Sequence, residues 1–331
     1  MNKTKRLSSS ALAGGIIAPA VLLVIGMVAA TNLAVPEFQT SNKHQEVNST
    51  IRRGIFHMTQ KVWFITGSSR GFGRQWAEAA LRRGDLVAAT ARNIDTLTPL
   101  VETYRDTILP LELDVTNQEA DHAAIARAHQ TFGRLDVVIN NAGYGLLGAI
   151  EEISVEKARD QMETNFFGAL WVTQAALPYL REQGSGHILQ VSSIGGICAF
   201  PGVGLYHASK WALEGMSEAL AQEVAQFGIH VTLIEPGGFD TDWRGSSAVW
   251  ADPKPAYAVL REVQHNQRPA GMLPGDPVAT SQAILTLVDA PNPPLRIFLG
   301  NSPLRIARAA YEQRLKTWEE WDEISQAAQG N

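Results

Sequence analysis

From Lys61 onward, short apolar runs alternate with stretches in which apolar residues recur every three or four positions. The runs are VWFIT (62–66), LVAAT (86–90), ILPLELDV (108–115), DVVIN (136–140), HILQVSS (187–193), HVTLIEP (230–236) and LRIFL (295–299). Between them the spacing predicts helices over 73–84, 94–105, 117–131, 157–182, 204–227 and 277–289. In the first of these, Trp76, Ala79, Ala80 and Leu81 are spaced for one buried face. Strands that are apolar at nearly every position are buried on both sides, which predicts an α/β fold: one doubly wound parallel sheet covered by helices. Right-handed crossovers give seven strands in the order 3-2-1-4-5-6-7, with ligands at the strands' C-terminal ends. No repeat or linker interrupts 60–300, so a single catalytic domain is expected over 58–300.

Composition removes several function classes. The 331 residues are 45% hydrophobic and carry a formal net charge of -5, with no concentrated basic face for nucleic acid. The single cysteine, Cys198, excludes an internal disulfide and fits a reducing compartment. Cys198 has no partnered histidine and reads as a packed or pocket-edge thiol rather than a nucleophile. The histidines are scattered, without HExxH or CxxC spacing, so no metal site is expected.

The first strand runs directly into Thr66-Gly67-Ser68-Ser69-Arg70-Gly71-Phe72-Gly73. A glycine-rich turn between strand and helix lets backbone N–H groups and the positive helix end approach a pyrophosphate. The second strand ends in Ala91-Arg92 and not in the acid that would hold an unmodified ribose. Arg70 and Arg92 together suit a ribose 2′-phosphate, which favours NADP(H) as cofactor. The plainer reading, an arginine merely solvated at the surface, stays open for either one. Tyr206 and Lys210 are four apart on one helix and share a face, so the ammonium lowers the phenol's pKa and makes it a usable acid or base. Ser193 stands at the C-terminal end of its strand, where its hydroxyl can meet a developing alkoxide.

Taken in order, TGSSRGFG (66–73), Asp114-Val115, Asn140-Asn141-Ala142-Gly143, Asn165, Ser192-Ser193, Tyr206-His-Ala-Ser-Lys210 and Pro236-Gly237 with Thr241 resemble the short-chain dehydrogenase/reductase family. The resemblance implies hydride transfer between a nicotinamide and a carbonyl or secondary alcohol. It implies a catalytic set of Asn165, Ser193, Tyr206 and Lys210, in which Asn165 holds a water behind the lysine and Lys210 also binds the nicotinamide ribose. It further implies a cofactor site of Gly67, Ser69, Arg70, Gly71, Phe72, Gly73, Arg92, Asp114, Val115, Asn141, Ala142, Gly143, Pro236, Gly237 and Thr241, and a homodimer or homotetramer. Two alternatives stand beside NADPH-linked carbonyl reduction: a dehydrogenase working oxidatively on alcohols, and a non-catalytic NADPH-binding sensor or scaffold.

Residues 242–275 are expected to form a flap over the substrate. Its tryptophans and Tyr257, with Tyr144, Phe200 and Met272, are candidates for an apolar pocket for a hydrophobic ketone or aldehyde, ordinary packing being equally open to each. In the tail 301–331, Leu304, Ala307, Ala310, Tyr311, Leu315, Trp318 and Trp321 have helical spacing and predict one or two helices packed on the domain or on a neighbouring subunit. Residues 1–57 differ from the rest. An apolar segment at 11–34 follows Lys3, Lys5 and Arg6, and reads as a membrane anchor, a cleaved signal or an extension ahead of a true start at Met58. A cytoplasmic enzyme is expected, or a membrane-anchored one if 11–34 is a real anchor.

Overall fold

The computed structural model describes residues 60–266 and 273–330; the N-terminal segment and Met272 lie outside them. Seven parallel strands form the sheet: β1 (Val62–Ile65), β2 (Leu86–Ala91), β3 (Ile108–Glu112), β4 (Val137–Asn140), β6 (Gly186–Val191), β7 (Ile229–Pro236) and β9 (Arg296–Leu299). Their spatial order is β3-β2-β1-β4-β6-β7-β9. Once the two-residue strands β5 (Leu146–Leu147) and β8 (Val249–Trp250) are set aside, this is the expected 3-2-1-4-5-6-7. Strand alternation divides the core in two. Trp63 and Ile65 face the cluster that holds Trp76, Leu97, Ile284 and Leu287. Val62 and Phe64 face the opposite cluster, with Ile125, Val172, Leu180 and Leu220.

Covering helices are α1 (Gly71–Arg83), α2 (Thr98–Tyr104), α3 (Gln118–Phe132), α4 (Val155–Met162), α5 (Gly168–Gln183), α6 (Gly204–Val224), α7 (Ala258–Asn266) and α8 (Thr280–Asp289). The expected helix over 157–182 is therefore not uniform. A π-helical turn, Glu163–Phe167, joins α4 to α5. Two strand ends also retreat from their predicted limits: β3 stops at Glu112 and β6 at Val191. Polar capping explains both. Asp114 Oδ1 accepts from Thr116 N–H at 3.0 Å, and Ser193 Oγ accepts from Gly195 N–H at 3.0 Å, so each turns the chain out of the ladder. In α1, Ala77 is buried beside Trp76 and Ala80, whereas Ala79 is only partly covered.

Short β5 (Leu146–Leu147) and β8 (Val249–Trp250) form a separate parallel pair at the C-terminal edge of the sheet. Periodicity could not reveal two-residue strands. The tail forms α9 (Pro303–Glu320) and α10 (Asp322–Ala327). Ala307 packs on Ile194, Ile197 and Cys198, with Ala310 against the same cluster. Leu304, Tyr311, Leu315, Trp318 and Trp321 are exposed instead, so only part of the tail's apolar pattern meets the domain. Among the described residues no helix is long and apolar enough to cross a membrane.

One buried polar contact ties the first helix, α1, to the start of α8. Trp76 Nε1 donates to Thr280 Oγ1 at 2.8 Å in the core. In Thr280→Val the indole N–H loses its acceptor but no volume is emptied. We expect a loss of about 1–3 kcal/mol of stability, the cost of an unsatisfied buried donor. Urea unfolding monitored by tryptophan fluorescence reads it, with an unchanged m-value.

Candidate active site

The site begins where β1 and β4, neighbours in the sheet, send their chains to opposite sides. Thr66 Oγ1 accepts the N–H groups of both Asn141 and Ala142 at 2.9 Å. Asn141 Nδ2 returns two hydrogen bonds, to Thr66 O at 2.9 Å and Gly67 O at 3.0 Å. The clamp leaves no room for a side chain. A Cβ on Gly73 would sit 2.5 Å from Gly67 O and closer still to Asn141 Nδ2. Gly67 and Gly71 have φ of +68° and +55°, the left-handed region that favours glycine. α1 starts at Gly71 with no side-chain cap and no acid in its first turn. Its free N–H groups and positive dipole end therefore remain available to an anion.

Around this turn the cleft is lined by Ser69, Arg70, Arg92, Asp114, Val115 and Gly143, among others. Its volume is about 2540 Å³. That exceeds the roughly 300–1,000 Å³ of a site for one small ligand, so there is room for a dinucleotide and a substrate together. Arg92 is exposed just beyond β2. Arg70 reaches across the cleft, donating to Ser246 Oγ at 2.8 Å and standing 3.5 Å from Asp242 Oδ2. This pair is half exposed and holds the guanidinium weakly. Phe72 also lines the cleft, and its ring stacks on Trp76 and meets Phe239 edge-on, each at 5.2 Å between centroids. Thr241 lies against Gly71, and Gly237 N–H donates to Leu299 O at 2.9 Å, fixing the loop after Pro236.

The four predicted catalytic residues converge at the other end of the cleft. Lys210 is buried on α6 beside Tyr206; its Nζ donates to Val191 O at 2.7 Å and lies 5.8 Å from the centre of the Tyr206 ring. The expected lowering of the Tyr206 phenol by Lys210 is outweighed: burial pushes it up to about 12, against hydrogen bonds from Ser193 and Trp243 that lower it. Burial pushes Lys210 down to about 8, opposed by the charge of Glu214. Because the Ser193 oxygen accepts from Gly195, its proton is left to donate. Asn165 sits within the π turn. Its Oδ1 accepts from Tyr144 N–H, and its Nδ2 donates to Tyr144 O and to Ser209 Oγ, all at 3.0–3.1 Å. Gly143 separates it from the lysine: a Cβ there would meet Asn165 Oδ1 at 3.1 Å and Lys210 Nζ at 3.7 Å.

Trp243 and Ala248, in the segment after Thr241, pack against this group. Trp243 lies edge-on to Tyr206, with ring centres 4.9 Å apart. Leu147, Val203 and Ala248 complete an apolar wall. Of the aromatic residues expected here, Tyr144, Phe200, Trp250 and Tyr257 line the cleft. Glu152, a residue the pattern did not single out, anchors the segment that carries Lys254 and Arg261. It accepts from Ala149 N–H at 2.8 Å and Lys254 N–H at 2.7 Å, and pairs with Arg261. The Lys254 bond is the main reason its carboxyl is held below the usual range. The carboxylate two residues before a Ser-Val helix start was its only mark in the sequence.

Comparison with known proteins agrees with this geometry. The family model for short chain dehydrogenases matches residues 61–252. The oxidoreductase BOA17 of Botryotinia fuckeliana is 44% identical over 271 residues, 81% of this chain and 99% of that protein. Estradiol 17-beta-dehydrogenase 1 of Rattus norvegicus is 35% identical over 271 residues, 77% of this chain and 78% of its own. A crystal structure of a short-chain dehydrogenase from Streptomyces avermitilis superposes with a TM-score of 0.77 at 39% identity, covering 82% of this chain and 99% of that one. Fold and cleft together define a dinucleotide-dependent oxidoreductase. The chain belongs to the short-chain dehydrogenase family, enzymes that use NAD(P) to interconvert carbonyl and alcohol groups.

The clamp gives a direct test of the cofactor end. Gly73→Ala forces a methyl against Gly67 O and Asn141 Nδ2. The expected outcome is loss of dinucleotide binding, read by quenching of tryptophan fluorescence on titration with NADPH, while the circular dichroism of the fold persists.

Proposed function

We propose that the protein is an NADP(H)-dependent reductase of bulky apolar ketones or aldehydes, with Tyr206 as the proton donor. The observation that carries this reading is the buried Tyr206–Lys210 pair facing a hydrophobic wall. Gly67, Gly71 and Gly73 would cradle the pyrophosphate. Arg70 and Arg92 would hold the 2′-phosphate, with Arg70 released from its weak contacts to the flap. Asp114 and Val115 would stand beside the adenine, and Pro236, Gly237 and Thr241 beside the nicotinamide. When bound, the dinucleotide supplies the hydride.

The chain's own residues do the rest. Ser193 donates a hydrogen bond to the carbonyl oxygen and Tyr206 delivers the proton as charge develops there. Lys210, cationic and beside the ring, stabilises the phenolate left behind. Asn165, held rigidly by Tyr144 and Ser209, keeps a polar route open behind Lys210 through which a proton can return. Leu147, Val203, Trp243 and Ala248 exclude water from this step and favour an apolar substrate. The relative named for estradiol supports a substrate of that bulk.

Cofactor oxidation against a panel of bulky ketones tests the reading. Tyr206→Phe should lower kcat by roughly 10²–10⁴-fold, the usual contribution of a positioned acid. The rate should fall as pH rises through about 8, where Lys210 loses its charge while Tyr206 is still protonated. Arg92→Asp should weaken NADPH binding roughly 10- to 150-fold, as expected for one charge-assisted contact, and leave NADH binding intact. An enzyme that prefers NADH before mutation would overturn the assignment of the two arginines.

A further inference from the structure

Directly beneath the catalytic group lies a set of buried charges that the reaction above does not use. Glu214 follows Lys210 by one helical turn on α6 and is 6% exposed; Glu235, the penultimate residue of β7, is wholly buried. Both converge on one nitrogen. Arg296 Nε, at the start of β9, lies 3.2 Å from Glu214 Oε2 and 3.4 Å from Glu235 Oε1. The same guanidinium sends Nη2 to Glu218 on α6 at 2.8 Å, where the carboxylate is more than half exposed. The Ser192 hydroxyl stands beside Glu214.

The donors do not suffice. The one N–H lies 3.2 Å from Glu214 Oε2 and 3.4 Å from Glu235 Oε1, the Ser192 hydroxyl serves Glu214, and neither buried Glu235 oxygen has a hydrogen-bond donor. Two ionised carboxylates in that position would share one guanidinium that Glu218 also engages and would leave buried charged oxygens without a donor, which is costly. A proton between them removes one charge and supplies the missing donor at once. Burial and the neighbouring Glu214 raise the affinity of Glu235 for a proton, against the opposing charge of Arg296. The charged and titratable groups that face the pair are Lys210 and Glu218 from α6 and Arg296 from β9.

We propose that Glu214 and Glu235 hold a single proton between them at neutral pH and act as a positioning pair that sets the charge beneath Lys210. Every member touches the active site through the chain. Ser192 precedes Ser193, Glu214 lies four residues from Lys210, and Glu235 precedes Pro236. At neutral pH the pair presents one negative charge to the lysine. On alkalinisation the shared proton passes to solvent and the charge doubles. The second charge holds a proton on Lys210 to higher pH than burial alone would allow. The role rests on the proposed function of Lys210, but the shared proton does not.

The experiment is nuclear magnetic resonance of the full chain carrying ¹³C-carboxyl glutamate and ¹⁵N-labelled lysine, titrated from neutral to alkaline pH. One glutamate carboxyl should be protonated at pH 7 and titrate above it. In Glu235→Gln that signal should vanish and Glu214 should be ionised throughout. The Lys210 titration should move to lower pH by roughly one to two units, the effect of one charge about 6–10 Å away at an effective permittivity of about 20. Glu214→Gln removes the same proton from the other side and serves as the second variant. The alkaline limb of kcat should follow Lys210. Two carboxylates ionised at pH 7 in the unmodified chain, or a Lys210 titration that the variants leave in place, would overturn the proposal. A chain that turns over no carbonyl would instead sink the functional reading while the carboxyl signals still decide the shared proton.

Discussion

The tie between Thr66 and Asn141 is what makes a binding crevice out of a sheet edge. Two neighbouring parallel strands leave the sheet toward opposite faces, and their ends would gape and fill with water without a link. One hydroxyl accepts two backbone N–H groups and one amide side chain donates to two carbonyls, so four hydrogen bonds close the ends. No spare volume is left, which is why Gly73 must be glycine. The same closure brings α1's first turn to the rim with its amides unspent. Those uncapped amides are a by-product of how the strand ends are held.

The opposite end of the cleft follows a different economy. Tyr206, Lys210, Glu214 and Glu235 are removed from water, and each is the sort of group that burial penalises. They persist because each has a specific neighbour: Ser193 for the phenol, Val191 O for the ammonium, Arg296 for the carboxyls. Stability alone would favour apolar residues of similar volume in these places. The arrangement is therefore the mark of chemistry at the C-terminal edge of the sheet, and the apolar wall around Trp243 keeps the local permittivity low enough for such charges to act on one another.

The sheet was legible because strands buried on both faces leave an apolar signature that survives without context, as in VWFIT and DVVIN. The catalytic face was legible where four-residue spacing on one helix carries meaning, as for Tyr206 and Lys210. The same spacing applied once more reaches Glu214, but a glutamate on a helix ordinarily reads as a solvated charge, and only tertiary packing shows Glu235 and Arg296 against it. Asn165 could not be read from spacing because its meaning depends on the π turn. The β5–β8 pair is too short to have a period, and Glu152 works through contacts with residues more than a hundred positions away. Phe72 carries both kinds of signal: it lines the cleft as part of the glycine motif and also stacks its ring on Trp76.

That π turn has an evolutionary side. The wide turn at Glu163–Phe167 bonds Gly168 N–H back to Glu163 O, one residue further than an α-helix reaches. It is in effect an extra residue lodged in an otherwise regular helix. Point substitutions change its side chains but not its count, so the feature can be erased only by deleting a residue. Such a deletion would turn all of α5 by about 100° relative to α4, since an α-helix holds about 3.6 residues per turn. Drift by substitution alone leaves that extra residue in place, and with it the π turn that holds Asn165.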